Sequence, residues 1–242
     1  MCTVTFIPGK DRYFITSNRD EKSYRKHAVA PLHYPTGDYT LLYPRDADAG
    51  GSWIAMHSNG NATVLLNGAF KKHSTKPTYR VSRGLIFLEI IQNAMPVKYF
   101  LQLNLENIEP FTLIIWDEHN LYECRWDSKQ KQYCQLLKNK THIWSSSTLY
   151  DVITAEKREN WFAKWLKKTA KPGQKDILNF HRFGGEGNTQ NDLLMNRDGK
   201  VLTVSITGME LTCKKGIMTY LDLKTNTEHI SEMNFTTDYT VA

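Results

Sequence analysis

Short strand-like runs separated by turn residues fill the first seventy positions, and they constrain the fold more than any other feature of this 242-residue chain. Residues 3–7 and 12–17 are β-prone, and the Pro-Gly-Lys-Asp sequence between them favours a turn. A second pair of runs, 53–57 and 62–66, surrounds an Asn-Gly dipeptide, the strongest short-range signal of a hairpin. The amino-terminal part is therefore predicted to fold as antiparallel hairpins.

Helical patterns are segregated from the strands. Residues 82–95 are apolar on nearly every side, which predicts a buried helix that Pro96 ends. Ser147 and Thr148 are candidate caps of an amphipathic helix over residues 149–170, with its aromatic face on the core or, less favoured, on a membrane surface.

Further strand-like runs complete the sequence pattern. Residues 111–116, 121–126 and 132–137 predict a three-stranded meander, and three more strands are predicted over 201–207, 216–223 and 228–235. About ten strands and three or four segregated helices indicate an α+β fold, with antiparallel sheets and helices on their outer faces. With no Pro/Gly/Ser linker in sight, residues 1–242 are predicted to form a single domain.

Composition excludes several classes of protein. The net charge is +6, but no dense basic block interleaved with aromatic residues indicates nucleic-acid binding. No secretory signal and no apolar run long enough to span a bilayer is found, so we expect a cytoplasmic protein without an integral membrane segment. The sequence does not determine the oligomeric state.

Four cysteines are far apart, at positions 2, 124, 134 and 213. No Cys-x-x-Cys pair or neighbouring histidine has zinc-ligand spacing, so no metal site is predicted, and a reducing environment is expected. Cys124, Cys134 and Cys213 lie in strand-like contexts and are expected to be buried and inert.

Cys2 is the exception, because removal of Met1 would make it the amino terminus. One residue would then carry a thiol nucleophile and an α-amine able to serve as its base. The hairpin places Cys2 near the end of one strand and Asn18-Arg19-Asp20 near the end of its partner. Arg19 could favour the thiolate, and Asp20 could hold the α-ammonium group or Arg19. The alternatives are a chance cysteine on a frayed terminus and a solvated turn.

Asn67 is a second candidate, because it ends a strand and precedes Gly68. Its amide NH₂ could donate to a developing oxyanion, and the glycine would permit close backbone approach. An ordinary turn residue at a strand end is an equal alternative on the sequence alone.

Five motifs in order resemble a known family. They are Met1-Cys2, Ser17-Asn18-Arg19-Asp20-Glu21, Gly50-Gly51-Ser52-Trp53, Leu66-Asn67 and Ser82-Arg83-Gly84. The series resembles the NRDE family, also called the transport and Golgi organisation protein two family. That family in turn resembles N-terminal-nucleophile (Ntn) hydrolases of the choloylglycine hydrolase and penicillin V acylase type.

The resemblance implies a four-layer αββα sandwich, with two antiparallel sheets between helical layers. It implies that Cys2 is the nucleophile, that Arg19 and Asp20 position it, and that Asn67 is the oxyanion donor. Substrate contacts would come from Asn18, Trp53, Ser145 and Arg197. Ser145 stands where choloylglycine-type hydrolases carry an asparagine, and Arg197 is a loose match to their late arginine. Here Arg19 and Asp20 are adjacent, so on a strand they would face opposite ways.

The leading hypothesis is a cysteine amidohydrolase that cleaves a non-peptide C–N bond of a small-molecule amide through a Cys2 thioester, without metal or organic cofactor. The alternative hypothesis is a non-catalytic binding or trafficking module for a hydrophobic ligand such as haem or lipid, which the family resemblance also implies.

Overall fold

The computed structural model describes residues 3–117 and 119–236. Cys2, the predicted nucleophile, lies outside the described residues. The described strands are β1 Thr3–Pro8, β2 Tyr13–Lys22, β3 Val29–Thr36, β4 Tyr39–Arg45, β5 Ile54–His57, β6 Ala62–Asn67, β7 Phe111–Asp117, β8 Asn120–Trp126, β9 Lys131–Leu136, β10 His142–Ser145, β11 Asn196–Arg197, β12 Val201–Leu211, β13 Lys215–Asp222 and β14 Thr227–Asn234. The described helices are α1 Arg83–Ile91, α2 Pro96–Gln102, α3 Val152–Lys168 and α4 Gln174–Phe183.

These strands form two seven-stranded sheets, and the paired strands within each sheet are antiparallel. The first sheet has the order β10-β1-β2-β12-β13-β14, with β11 paired to β12, and the second runs from β3 to β9 in chain order. Within the first sheet, β1 lies between β2 and β10, so its first described residue is paired on both sides.

Helices cover the outer face of each sheet. The short helices α1 and α2 contact β5 to β8 of the second sheet, whereas α3 and α4 contact β10, β2 and β12 of the first. The largest apolar core joins the second sheet to the inner face of the first, through Phe6 and Ile15, and to α1 through Phe87. A separate apolar cluster with Ile7, Phe162 and Phe180 joins the first sheet to α3 and α4. The fold is the four-layer αββα sandwich expected from the sequence.

Alternation along β1 and β2 decides which residues reach each layer. Val4 and Phe6 belong to the core between the sheets, while Thr3 and Thr5 bond to side chains of α3 and α4. Successive strand residues point to opposite faces, so every second residue of β1 points toward the second sheet.

Several predicted boundaries are corrected. Asn18 to Asp20 lie inside β2, which continues to Lys22, and not at its end. Pro96 begins α2 as its first helical residue and does not merely end α1, because proline has no N–H to lose at that position. The third helix starts at Val152, and its cap is Asp151, whose carboxylate accepts from the Thr154 N–H.

Two cysteine predictions are also corrected. Cys124 is buried as predicted, and burial raises the pKa of its thiol. Cys134 and Cys213 are exposed, because Cys134 lies on a polar edge strand and Cys213 in the turn before β13. Both are therefore open to thiol reagents in the folded protein.

Across the described part of the chain, none of the helices is both long and apolar enough to cross a bilayer.

Candidate active site

The start of β1 lies at the centre of the candidate site. Thr3 pairs with Asn18 of β2 on one side and with Ser145 of β10 on the other. The residue after Ser145, Ser146, donates its hydroxyl proton to the Asn67 carbonyl oxygen at 2.8 Å. The first sheet is thereby fastened to the end of β6 in the second sheet, next to the first residue that the structure describes.

Arg19 points from β2 toward the second sheet and is almost fully buried. Its guanidinium pairs with the Asp46 carboxylate and lies 3.6 Å from Glu21. Its Cζ atom is 4.4 Å from the ring centroid of Trp53, a distance at which a cation is attracted to the face of the indole. The acid, the ring and β2 together restrict the direction in which this guanidinium can point.

A tight loop holds the Asp46 carboxylate in place. Its Oδ1 atom accepts from the backbone N–H groups of Asp48 at 3.0 Å and Ala49 at 2.8 Å. Burial raises the pKa of Asp46, but the Ala49 N–H and the guanidinium groups of Arg19 and Arg25 outweigh it and hold that pKa below its usual value. The carboxylate therefore stays charged opposite Arg19.

Glycines allow the loop to pack directly on α1. A Cβ atom on Gly51 would lie 2.5 Å from the carbonyl carbon of Gly84, so no side chain fits there. Ser52 N–H donates to the Gly84 carbonyl at 3.2 Å, and the Ser82 side chain caps α1. This contact explains why the Gly50-Gly51-Ser52-Trp53 and Ser82-Arg83-Gly84 motifs occur together.

Arg83, the first residue of α1, lines the same cavity. Its guanidinium is 3.0 Å from Glu109, and burial lowers the pKa of Arg83. The Glu109 carboxylate also lies 3.1 Å from His73. The cavity lining thus includes a second arginine–carboxylate pair.

These walls enclose a cavity of about 410 Å³. Its lining includes Arg19, Trp53, Asn67 and Arg83, and the carboxylates of Glu21, Asp46 and Glu109. A second cavity of about 440 Å³ shares Glu21, Arg25, Asn67, Arg83 and Glu109 with it, so the two are adjacent. The combined space is lined mainly by polar and charged side chains.

Asp20 points away from Arg19, as expected for adjacent strand residues. Its carboxylate accepts hydrogen bonds from the Tyr150 hydroxyl at 2.7 Å and the Thr203 hydroxyl at 2.5 Å. The acid bonded to Arg19 is therefore Asp46, which the sequence did not identify, whereas Asp20 connects β2 to β12 and to the loop before α3.

On the face of the first sheet that α3 covers, Arg158 of α3 is fully buried. Its guanidinium donates to the Thr3 hydroxyl and to the Asn191 and Asp192 carbonyls, and it lies 3.6 Å from the ring centroid of Tyr150. Through these contacts α3 holds the start of β1 against the ring that also bonds Asp20.

Asn18 is fully buried and takes part in this internal network. Its amide nitrogen donates to the carbonyls of Leu193 at 2.7 Å and His181 at 3.1 Å, and its oxygen accepts from His181 Nδ1. The Nε2 atom of that neutral ring is left to accept from the Thr5 hydroxyl at 2.7 Å. Burial, and then the charge of Arg158, lower the pKa of His181 to about 3. The predicted substrate contact of Asn18 is thus corrected to a structural role.

Asn67 ends β6 and lines both cavities. The next residue, Gly68, has φ +81°, and a Cβ atom there would overlap the Ser147 hydroxyl. The expectation that glycine permits close approach at this point is confirmed. Glycine lets the chain turn away after β6 while Asn67 remains on the cavity wall.

The other three predicted substrate contacts, Trp53, Ser145 and Arg197, lie in three different places around the site. Trp53 lines the main cavity, and its Nε1 atom is buried without a hydrogen-bond partner in the residues described. Ser145 lines an adjoining cavity of about 220 Å³ that also contains Asn67. Arg197 donates to the carbonyls of Leu149 and Gln190 and lies against the Tyr150 ring, so it is placed behind the site.

Among the residues described, no group of three or more His, Cys, Asp or Glu side chains is arranged to hold a metal ion.

The fold is the one that the resemblance to Ntn hydrolases implies, and several solved structures share it. A cysteine-to-alanine mutant of conjugated bile acid hydrolase from Clostridium perfringens is similar with TM-score 0.60, at 14% identity over 96% of this chain and 92% of that chain. The Caenorhabditis elegans ortholog of N-acylethanolamine-hydrolyzing acid amidase gives 0.56, at 13% identity over 86% and 92%. Penicillin V acylase from Agrobacterium tumefaciens gives 0.51, at 12% identity over 96% and 86%.

The chain itself belongs to the Transport and Golgi organisation 2 family, whose pattern it matches over residues 1–201. The resemblance given by the five motifs is confirmed. A comparison with curated proteins found no significant match.

Proposed function

We propose that this protein is an amidohydrolase that uses Cys2 as an amino-terminal nucleophile on a non-peptide amide of a small molecule. The observation that carries the proposal is the register at the start of β1. Thr3 is paired with Asn18 and Ser145. The residues that follow these two in the chain are Arg19, on the cavity wall, and Ser146, which lies just after β10 and is bonded to Asn67.

Covalent geometry supports a short reach between position 2 and this wall. Consecutive Cα atoms are about 3.8 Å apart across a trans peptide. If the antiparallel pairing of β1 with β2 continued by one residue beyond Thr3, position 2 would lie opposite Arg19. Alternation along the strand would direct its side chain with Val4 and Phe6, toward the second sheet and the cavity.

In the proposed mechanism, removal of Met1 frees the Cys2 α-amine, which takes the thiol proton as the sulfur attacks the amide carbonyl carbon. The resulting oxyanion accepts a hydrogen bond from the Asn67 side-chain NH₂. Collapse breaks the C–N bond, and the leaving nitrogen takes the proton from the α-ammonium group. A water molecule, deprotonated by the same amine, then hydrolyses the thioester and releases a carboxylic acid.

Arg19 has a positioning and electrostatic role in this proposal. A guanidinium beside a cysteine favours the thiolate over the thiol. The Asp46 pair and the Trp53 ring restrict the direction of that charge, and the bonded loop that holds Asp46 gives the arrangement rigidity. Asp46 therefore takes the part that the sequence assigned to Asp20 as the partner of Arg19.

The residues that line the cavity indicate which class of substrate it could bind. Arginine and carboxylate groups alternate on its walls, and this lining suits a polar amide better than haem or a lipid chain. The amidase activities named for the bile acid, N-acylethanolamine and penicillin V enzymes belong to those proteins, and they suggest acyl amides as the first compounds to test here.

Turnover of a panel of fluorogenic N-acyl amides tests the proposal. We expect Cys2→Ala to abolish hydrolysis and Asn67→Ala to lower kcat by about 10²–10³ with little change in KM, because the lost donor acts mainly in the transition state. The variant Asn104→Ala, at an exposed turn outside the cavity lining, is the control.

Two outcomes would overturn the proposal. The first is hydrolysis that survives in Cys2→Ala. The second is absence of turnover across the panel, combined with equal binding of haem or lipid by the wild type and Cys2→Ala, which would instead support the binding module.

A further inference from the structure

A groove on the outer face of the helical hairpin α3–α4 has no part in the site described above. It has a volume of about 400 Å³ and is lined by Trp161, Lys164, Trp165, Lys168, Phe180 and Phe183. We call it the Trp–Lys groove. Its side chains come from α3 and α4, and Phe180 also belongs to the apolar cluster that joins these helices to the first sheet.

The aromatic side chains of the groove are held in place from below. Phe162 and Phe180 are buried, and the ring centroids of Trp165 and Phe180 are 4.8 Å apart and stacked. Trp161 and Trp165 are half-buried, whereas Phe183 at the end of α4 is 72% exposed. Packed aromatic rings thus carry a projecting ring, and the Arg182 guanidinium lies 5.4 Å from the Phe183 ring centroid.

Basic side chains surround these rings. Lys164 and Lys168 are exposed and make no ion pair within the described part of the chain, whereas Lys157 pairs with Glu186 at 2.8 Å. Between positions 163 and 175 the sequence has no Asp or Glu, and it has lysines at 164, 167, 168, 171 and 175. All five of these lysines are exposed. Two of these lysines, Lys164 and Lys168, line the groove itself, and no acidic side chain belongs to its lining.

We infer that the Trp–Lys groove docks on a membrane surface rich in anionic phospholipids. Tryptophan and phenylalanine suit the boundary between headgroups and acyl chains, and lysines bury their stems while their ammonium groups meet phosphates and carboxylates. The charge selects this occupant over a second copy of the chain, because the same groove on another molecule would present the same lysines.

Docking of this kind is reversible. Phe183 and the two indole rings enter the interface, while the first sheet and its cavity stay on the water side of the helical layer. Each lysine near an anionic surface contributes roughly a fivefold gain in partitioning, and the apolar rings add their own burial. The mouth of the catalytic cavity is not needed for the contact, so this inference stands apart from the proposed chemistry.

Co-sedimentation of the full chain with sucrose-loaded vesicles tests the inference. We expect binding to vesicles of phosphatidylcholine with 30% phosphatidylserine, much weaker binding to phosphatidylcholine alone, and release in high salt, since screening shortens the reach of the charges. The double variant Lys164→Gln/Lys168→Gln should weaken partitioning by roughly 25-fold. The variant Phe183→Ser should weaken it by roughly tenfold.

Matched controls separate the groove from general charge and exposure. Lys129→Gln/Lys140→Gln removes the same charge from the exposed turns of the second sheet, and Ile230→Ser removes an apolar side chain that is 63% exposed on β14. Both controls should bind as the wild type does. The inference is overturned if the controls lose as much binding as the groove variants, if neutral vesicles bind equally well, or if only monomeric oleate binds.

Discussion

The buried pair between Arg19 and Asp46 gives the sharpest test of how the site is built. In Asp46→Asn the loop contacts to Asp48 and Ala49 remain possible through the amide oxygen, but the guanidinium loses its charged partner. The two side chains are only 5% and 12% exposed, so water does not replace that partner.

Breaking a buried ion pair on one side costs about 3–5 kcal/mol. Glu21, 3.6 Å away, and the Trp53 ring compensate part of the loss. We therefore expect Asp46→Asn to lower the free energy of unfolding by about 2–3 kcal/mol, just below that range. The control Asp48→Asn removes a carboxylate that is 29% exposed and 3.7 Å from its cationic partners. Its cost should stay below about 1 kcal/mol.

Urea unfolding, followed by tryptophan fluorescence, measures the free energy of unfolding of both variants. Repeating it at several pH values shows whether the stabilisation by Asp46 disappears in acid. The pKa of Asp46 is lowered in the folded state, so its contribution is complete above the unfolded pKa and is lost as pH falls through the folded one. The gap between wild type and Asp46→Asn should be full at pH 7 and should close in acid. A cost no larger than that of Asp48→Asn, or a gap independent of pH, would refute the reasoning.

Three further predictions concern the same framework. Gly51→Ala should lower the free energy of unfolding, measured by calorimetry, by about 1–3 kcal/mol, because the new Cβ would meet the Gly84 backbone. In the control Gly173→Ala the nearest atom, Oδ2 of Asp176, is 3.8 Å from the new Cβ, and the loss should stay below about 1 kcal/mol. Equal losses in the two variants would contradict the close packing at Gly51. Tyr150→Phe should lower the free energy of unfolding by about 1–3 kcal/mol, since it removes a donor to buried Asp20, and an unchanged urea midpoint would count against it. His181 has a pKa of about 3 in the fold, so the unfolded chain binds the extra proton and stability falls by about 1.4 kcal/mol from pH 7.5 to 5.5. His181→Gln should lack that share of the loss, and an identical acid slope would refute the assignment.

Local patterns explain what the sequence could predict. The first hairpin and the hairpin around Ser58-Asn59-Gly60-Asn61 have turn residues between alternating strands, and both are confirmed. Ser82 caps α1 in the structure, as the start of the apolar run indicates. These features depend on contacts a few residues apart, which propensity and spacing capture.

Features that depend on distant partners were missed. The predicted cap at Ser147 and Thr148 is wrong, because these residues pack on Gly68 and the helix begins later, at Val152. The strand β10 has only four residues, and its pairing partner β1 is more than 130 residues away in the chain, so the sequence did not predict it. Asp46 is 27 residues from Arg19 along the chain, and only the Asp-x-x-x-Gly-Gly spacing at 46–51 indicated a tight loop there.

Some residues of the candidate site could be predicted from local motifs, and others could not. The motifs led to Arg19 and Asn67, which both line the main cavity. They did not identify the buried network of Arg158, Tyr150 and Thr203, because those side chains converge from α3, its preceding loop and β12. A single domain over residues 1–242, a cytoplasmic location and independence from cofactors stay predictions.

Mass spectrometry of a Cys134→Ser/Cys213→Ser protein, which lacks the two exposed thiols, tests the central claim most directly. After treatment with an acylating β-lactone, we expect an intact mass without Met1 and with one adduct, mapped to the terminal Cys2 peptide and absent after Cys2→Ala. Buried Cys124 should stay unlabelled. A chain that keeps Met1, or whose Cys2 reacts no faster than a cysteine in an unfolded peptide, would contradict the assignment of Cys2 as an activated amino-terminal nucleophile.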